Sequence, residues 1–285
     1  MPHLGTMLRV LAAAACLVGM AACEEDTAEG ARARIRETHL PRLQQVVRED
    51  VQRHLQGIRK AAERLAPGFA VDDAREQQMR TALKFVQEPP KGIAELITSP
   101  ISFLAAVGGD GMVIARDADP DRMKGMDMAD AFPVVRAALD EGEVGHALGR
   151  FQGEDEEQVS WSILFAAPVT HDGERVGAVV AGIPLWRLAQ RLSRQMRVEH
   201  AQEIEQGLVL WAYVLWEGRL HHMGTPPELD EALPSGAELQ KRWDADPDAV
   251  EGHVQLHGRT YGYAMAPLST VGEGVGLLVV RADPP

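Results

Sequence analysis

The sequence predicts an α+β protein, with long N-terminal helices followed by two antiparallel-sheet domains joined by a helix. Three observations carry this reading. The first is the stretch 161–185, WSILFAAPVTHDGERVGAVVAGIPL. Trp161 to Val169 is rich in β-branched and aromatic residues, as strands are. Asp172-Gly173 is a turn in which Gly173 can take positive φ. Val176 to Ile183 is almost continuously apolar, which suits a strand covered on both faces, and Pro184 opens a helix. The second observation is the return of this pattern at 261–282, YGYAMAPLSTVGEGVGLLVVRA. Ala266-Pro267 stands for Ala167-Pro168 and Val275-Gly276 for Val176-Gly177, at the same separation. The third is a matching pair ahead of each hairpin: 103–117, FLAAVGGDGMVIARD, and 210–224, LWAYVLWEGRLHHMG, with Asp110-Gly111 aligned on Glu217-Gly218. One supersecondary unit is used twice, about a hundred residues apart.

The chain begins with a secretory leader over 1–22. Arg9 is its positive residue, and Val10 to Met20 is an apolar run too short to span a bilayer. Met20-Ala21-Ala22-Cys23 is similar to a bacterial lipobox, with Met where Leu is usual. Cys23 is then the lipidated first residue of the mature chain. Ordinary signal-peptidase cleavage at the alanines is the competing reading. Residues 23–30 read as a tether and 31–100 as a helical segment. Leu40, Leu43, Val47, Val51, Leu55, Ile58, Ala62 and Leu65 form one stripe at spacings of three and four. Pro41 is expected to kink its start, and Pro67-Gly68 to stop it. Asp72 and Asp73 are candidate caps of a helix that Pro89-Pro90 ends. A short helix over 92–98 leads into the first strand.

The first sheet domain is placed at 101–184, a linking helix at 185–207 and a second, smaller sheet domain at 208–285. Between the second strand and the meander of the first domain lies a Met-rich loop and a helix carrying Phe132, Val135 and Leu139, ending near Gly142. In the second domain one short helix is expected over 236–243.

A strand, an acidic-Gly turn, a second strand, a helix ending near Gly142 and a three-strand meander with Ala167-Pro168-Val169 resemble the Cache (PAS-like) extracellular sensory domains. The core of the likeness covers 101–185, with a weaker second copy at 208–282, so the chain resembles a double Cache domain on a bacterial lipoprotein. The resemblance implies a ligand over one face of the sheet, under the helix and loops between the second and third strands. By position it points to Arg116, Arg122, Phe132, Arg136, His146, Arg150, Trp161 and Phe165 as ligand-binding residues. Arginines can grip a carboxylate bidentately and aromatics can wall a pocket. The other reading makes Phe132, Trp161 and Phe165 core and leaves the arginines solvated. The family's amino-acid-binding pattern, an Arg shortly before a Trp-Tyr pair, is absent. The ligand class is therefore left open between carboxylate, amino acid and others.

The formal charge is −13, with Arg9 the one charged residue before Cys23. Such a chain has no general attraction for nucleic acid. The two cysteines, Cys16 and Cys23, leave no disulfide pair in the mature chain and no zinc cluster. Asp117-Ala118-Asp119-Pro120-Asp121 is similar to the start of a calcium loop, but Arg122 replaces the glycine and Met128 the final carboxylate. Glu154 to Glu157 reads as a solvated hairpin tip. His221-His222 would point to opposite faces of a strand, a poor chelate. Gly272-Glu273-Gly274-Val275-Gly276 sits between strands, not between a strand and a helix, so it is a turn and not a nucleotide loop. No hydrolase, Walker or haem motif occurs.

The reading that results is a non-enzymatic, lipid-anchored envelope protein without a cofactor, on the periplasmic side of the inner or outer membrane. It binds a small molecule in a PAS-like pocket and acts through a separate signalling partner. The alternative is a structural or protein-interaction lipoprotein with no small-molecule ligand. A cavity under 132–139 separates the two.

Overall fold

The computed structural model describes residues 27–70, 75–152, 159–247 and 250–284. The leader, Cys23, Asp72, Asp73 and the 154–157 charge run lie outside them. Residues 27–34 are helical, so the helix begins at 27, within the 23–30 stretch read as a tether. A π-turn, Ile35–His39, leads into α1, Leu40–Leu65. The sequence supplies its cause. Pro41 has no N–H, and its ring would clash with the carbonyl four residues back. The chain widens by one residue ahead of it, and the Leu40 N–H reaches the Ile35 carbonyl oxygen. The expected stripe of α1 is buried at Leu43, Val47, Val51, Ile58, Ala62 and Leu65.

A 3₁₀ turn, Ala66–Ala70, and α2, Arg75–Phe85, follow, then the short α3, Ala94–Ile97. The first sheet opens with β1, Phe103–Gly108, and β2, Val113–Arg116. Next come α4, Met128–Ala131, capped by the Asp127 side chain, and α5, Pro133–Asp140, with its proline in the first turn. The meander is β3, Gly145–Gln152, β4, Val159–His171, and β5, Glu174–Pro184. The linking helix is α6, Leu185–Glu199, broken at His200 and resumed as α7, Ala201–Glu205. The second sheet comprises β6, Val209–Trp216, β7, Arg219–His221, β8, Glu251–Leu256, β9, Arg259–Pro267, and β10, Gly276–Ala282. Between β7 and β8 stand two helices where one was expected: α8, Pro227–Ala232, and α9, Gly236–Ala245.

The strand orders are β2-β1-β5-β4-β3 and β7-β6-β10-β9-β8, the same topology twice. All strand pairings are antiparallel. Tight two-residue turns set the registers. Asp172 and Gly173 have φ of 51° and 85°, Glu217 and Gly218 of 47° and 69°, and His257 and Gly258 of 51° and 72°. Two successive positive φ angles match the right-handed twist of the flanking strands.

The described chain divides into two compact units. The first-sheet unit is Gln45–Arg191 with Leu268–Val275. The second-sheet unit is formed by the described parts of Met1–Gln44, Leu192–Pro267 and Gly276–Pro285. Residues 27–44 fall in the second-sheet unit and residues 45–100 in the first-sheet unit.

Candidate functional site at the corner of the first sheet

The first sheet has two covered faces, and strand parity decides which residue meets which cover. Phe103, Ala105 and Val107 of β1, Leu164 and Ala166 of β4, and Ala178 and Val180 of β5 join Met123, Met128, Phe132, Val135 and Ala138 in one apolar cluster. This is the face under α4 and α5. A Cβ on Gly149 would lie 2.3 Å from Leu164 Cδ1 and 2.9 Å from Phe132 Cε1, so the glycine lets Phe132 settle on β3. The opposite face carries the other parity of β4. The Phe165 ring lies 5.2 Å from the His54 ring of α1, and His146 stacks on it at 5.7 Å.

This geometry distributes the expected pocket residues between two faces. Phe132 and Arg116 belong to the α5 side, Arg116 standing opposite Ala105. His146 pairs with Phe165 and Arg150 with Trp161 across β3 and β4, which places all four on the α1 side. His146 Nε2 donates to the Thr270 carbonyl at 2.6 Å, and the Arg150 guanidinium sits 6.0 Å from the Trp161 ring centre. Arg136 lies on the exposed side of α5 and is tied to the Ala129 carbonyl and the Asp130 carboxylate. Arg122 is exposed on the loop after Asp121.

What does converge is a charged corner where β2 ends. The Arg116 Nε and Asp117 Oδ1 are 3.9 Å apart, and both atoms are buried without a hydrogen-bond partner. That distance is too long for a direct bond, so each atom requires another polar partner. The Gln87 amide donates to Asp117 Oδ2 at 3.0 Å. Asp121 Oδ2 accepts from the Arg116 N–H at 2.8 Å, and its Oδ1 from the Met123 N–H at 3.0 Å. Arg80 of α2 reaches into the same corner. Its guanidinium lies 2.7 Å from Glu76, 3.7 Å from Asp119 and 3.9 Å from Asp121, and its Nε is likewise buried and unbonded. Two carboxylates of the calcium-like spacing, Asp119 and Asp121, thus face the Arg80 guanidinium, and Asp117 faces Arg116. Among the described residues no group of three or more His, Cys, Asp or Glu is placed to hold a metal. Arg80 and Glu76 of α2 and Gln87 just after it were missed in the sequence, since nothing there marks them as facing the loop.

The corresponding face of the second sheet is different. The Tyr213 hydroxyl donates to Asp230 Oδ1 at 2.8 Å, and Thr225 donates to Asp230 Oδ2 at 3.0 Å. His222 lies over Tyr213 at 4.8 Å between ring centres and bonds Thr225. Burial, reinforced by the Asp230 carboxylate, pushes the Tyr213 phenol well above its ordinary value. Burial pushes the His221 imidazole down to about 4, and its Nε2 has no hydrogen-bond partner. Arg242 braces the far side, donating to the Tyr263 hydroxyl at 3.0 Å and the Glu251 carbonyl at 2.6 Å.

No protein-family model matches the chain, and no curated protein matches it. Solved structures do. The ligand-binding domain of the Campylobacter jejuni chemoreceptor Tlp3, in complex with L-norvaline, is 9% identical with a TM-score of 0.55, over 91% of this chain and 92% of that one. The ligand-binding domain of the Pseudomonas fluorescens chemoreceptor CtaA, in complex with L-serine, is 16% identical with a TM-score of 0.51, over 90% and 98%. The ligand-binding domain of the Pseudomonas aeruginosa PAO1 chemoreceptor PctC, in complex with GABA, is 14% identical with a TM-score of 0.50, over 88% and 99%. At these identities the likeness is one of fold, and the fold is that of Cache-type sensory domains.

Proposed function

We propose that this protein is a lipid-anchored sensory or solute-binding protein of the bacterial cell envelope, which binds a small molecule and acts through a separate partner. The fold supports a ligand-binding role, since the similar structures are ligand-binding domains complexed with amino acids or GABA. The observation that carries the reading here is the charged corner. Buried Arg116 Nε and Asp117 Oδ1 need a polar partner, and Arg116 stands opposite Ala105, a residue of the α5 side of the first sheet. A small polar ligand placed between them would satisfy both. The anchor rests on Met20-Ala21-Ala22-Cys23 and Arg9, and among the described residues no helix is long and apolar enough to cross a membrane. Several acyl chains on Cys23 would hold the chain firmly to a bilayer. The residues named for the site at this point are Arg116, Asp117, Arg80 and Gln87, with no catalytic role for any of them.

The test is a thermal-unfolding panel of amino acids, short carboxylates, polyamines and purines. A ligand at a hundred times its dissociation constant stabilises by about 2.7 kcal/mol. A hit that disappears in Arg116→Ala supports the corner as the site. Incorporation of a clickable fatty acid that is lost in Cys23→Ser supports the anchor. The second reading, a protein-interaction lipoprotein, is favoured by the apolar packing under α5. A flat panel, with a partner crosslinked in cells, would replace the first reading by the second.

A further inference from the structure

We propose that the second-sheet unit carries a proton-operated latch: on acidification His39 releases Arg281, and the turn that holds it parts from α7. The device goes beyond the corner at β2 and does not depend on a ligand there. His39 closes the π-turn ahead of α1 and is 3% exposed. Its Nε2 lies 2.8 Å from Arg281 Nη1. A guanidinium only donates, so Nε2 accepts and carries no proton. Arg281 of β10 is 2% exposed and keeps its charge at any ordinary pH. A proton on Nε2 would set donor against donor and cation against cation at that distance.

The groups around this pair divide into a fixed side and a movable one. On the fixed side, Asp283 Oδ1 accepts from Arg281 Nε at 2.9 Å and Nη2 at 2.5 Å, and from Arg34 Nη1 at 3.2 Å. Arg259 of β9 donates to the Ala282 carbonyl at 2.8 Å and the Asp283 carbonyl at 2.7 Å. On the movable side stands α7. It has no buried residue, and its N-cap, His200, makes no side-chain capping bond. The His200 ring meets the His39 ring edge-on at 4.9 Å, and its Nδ1 is 2.7 Å from Glu203 Oε1. Glu203 Oε2 is 3.5 Å from Arg281 Nη2, and this side chain is 47% exposed. Beside them Arg42 and Glu199 pair with each other at 2.7 Å. Asp283 is pinned by two arginines, so Glu203 is the carboxylate that turns toward a charged His39. Turning draws it from Arg281 and His200, the contacts that hold α7. In the closed latch burial first, then Arg281 and His200, pushes the His39 imidazole down to about 4, with Glu203 and Asp283 opposing them. Opened to water, the ring regains its ordinary affinity. The closed state is therefore fully favoured above pH 6.5, and protons favour the open state as pH falls from there toward 4.

The experiment follows hydrogen exchange by mass spectrometry in the full chain in detergent, between neutral pH and about pH 4.5, with rates corrected for the intrinsic effect of pH. Protection over 35–40 and 200–206 should fall about tenfold further than protection in β6 and β10, which report the whole unit. His39→Gln still accepts from Arg281 but takes no proton, and should abolish this excess. Glu203→Gln keeps a hydrogen bond to His200 but removes a charge that favours a proton on His39, so it should move the opening to lower pH. Glu203 is half exposed, so its replacement spares the fold. An equal fall in all four segments would be loss of stability without a latch, and would overturn the proposal. So would an excess that survives His39→Gln or, were that variant not to fold, an opening that Glu203→Gln leaves at the same pH.

Discussion

Under α5 the first sheet meets Met123, Met128, Phe132, Val135 and Ala138, an apolar cover from edge to edge of the cluster. Under α8 and α9 the second sheet meets Leu229, Leu233, Leu239 and Trp243, but also Tyr213 bonded to Asp230 and Tyr263 bonded to Arg242. The strand order is the same in both. Topology follows from the tight turns and the apolar strands, whereas the chemistry of the covered face rests on a handful of inward positions. Two copies of one scaffold therefore need not share a site.

The largest expected effect separates these faces directly. Phe132→Ala leaves a cavity against Gly149 and Leu164 and should cost about 3–5 kcal/mol, read as a loss of Tm and of the denaturant midpoint. A cost below about 1 kcal/mol would mean that the first face is loosely packed and its apolar cover incidental.

Acid should act on the second-sheet unit. His39 is 3% exposed and accepts from Arg281 Nη1 at 2.8 Å, with His200 4.9 Å away. Burial first, then Arg281 and His200, pushes its imidazole down to about 4. Between pH 6.5 and 4 the unfolded chain binds this proton and the folded chain does not. Stability contributed here is therefore full above pH 6.5, falls as pH drops toward 4, and falls no further from this source below that. The loss is on the order of 3 kcal/mol. Hydrogen exchange in β6 and β10 as a function of pH measures it, and His39→Gln, which can still accept from Arg281, should flatten the slope. An unchanged slope would place the titrating group elsewhere.

Tyr213→Phe removes the phenol that Asp230 accepts from and should cost about 1–2 kcal/mol, since Thr225 still serves the carboxylate. The comparison sharpens if this substitution also changes ligand response, because the polar face would then have a use. The smallest effect belongs to Arg136→Ala. Its pair with Asp130 is 56% and 82% exposed, so stability should move by no more than about 0.5 kcal/mol. A larger change, or loss of ligand response, would return Arg136 to the site.

Much of the fold was legible. The stripe of α1, the paired hairpins and the Asp172-Gly173 and Glu217-Gly218 turns are local signals, and each appears where the residues put it. The start of the helix before α1, over 27–30, was not, because residues 24–30 are small and polar and carry no stripe. α8 was hidden by Pro226-Pro227, although Pro227 suits a first turn. The site was harder. In β4, Trp161 and Phe165 alternate with Leu164 and Ala166, so the sequence shows that they face opposite ways. Both sets are apolar, and nothing local says which set meets α5 and which meets α1.

What the sequence determined by itself was therefore whatever depends on neighbours within a few residues: helix periodicity, strand alternation, turn chirality, and the doubling of one topology. What only the tertiary structure decided was which distant groups share a space. Arg80 faces Asp119 and Asp121, two of the three carboxylates whose spacing offered a place to a cation. Asp50 and His54, a polar pair inside an apolar stripe, meet Ser99 and Arg191. A charge is read locally as solvated, but once packing has removed the water it must find a partner, and that partner comes from elsewhere in the chain.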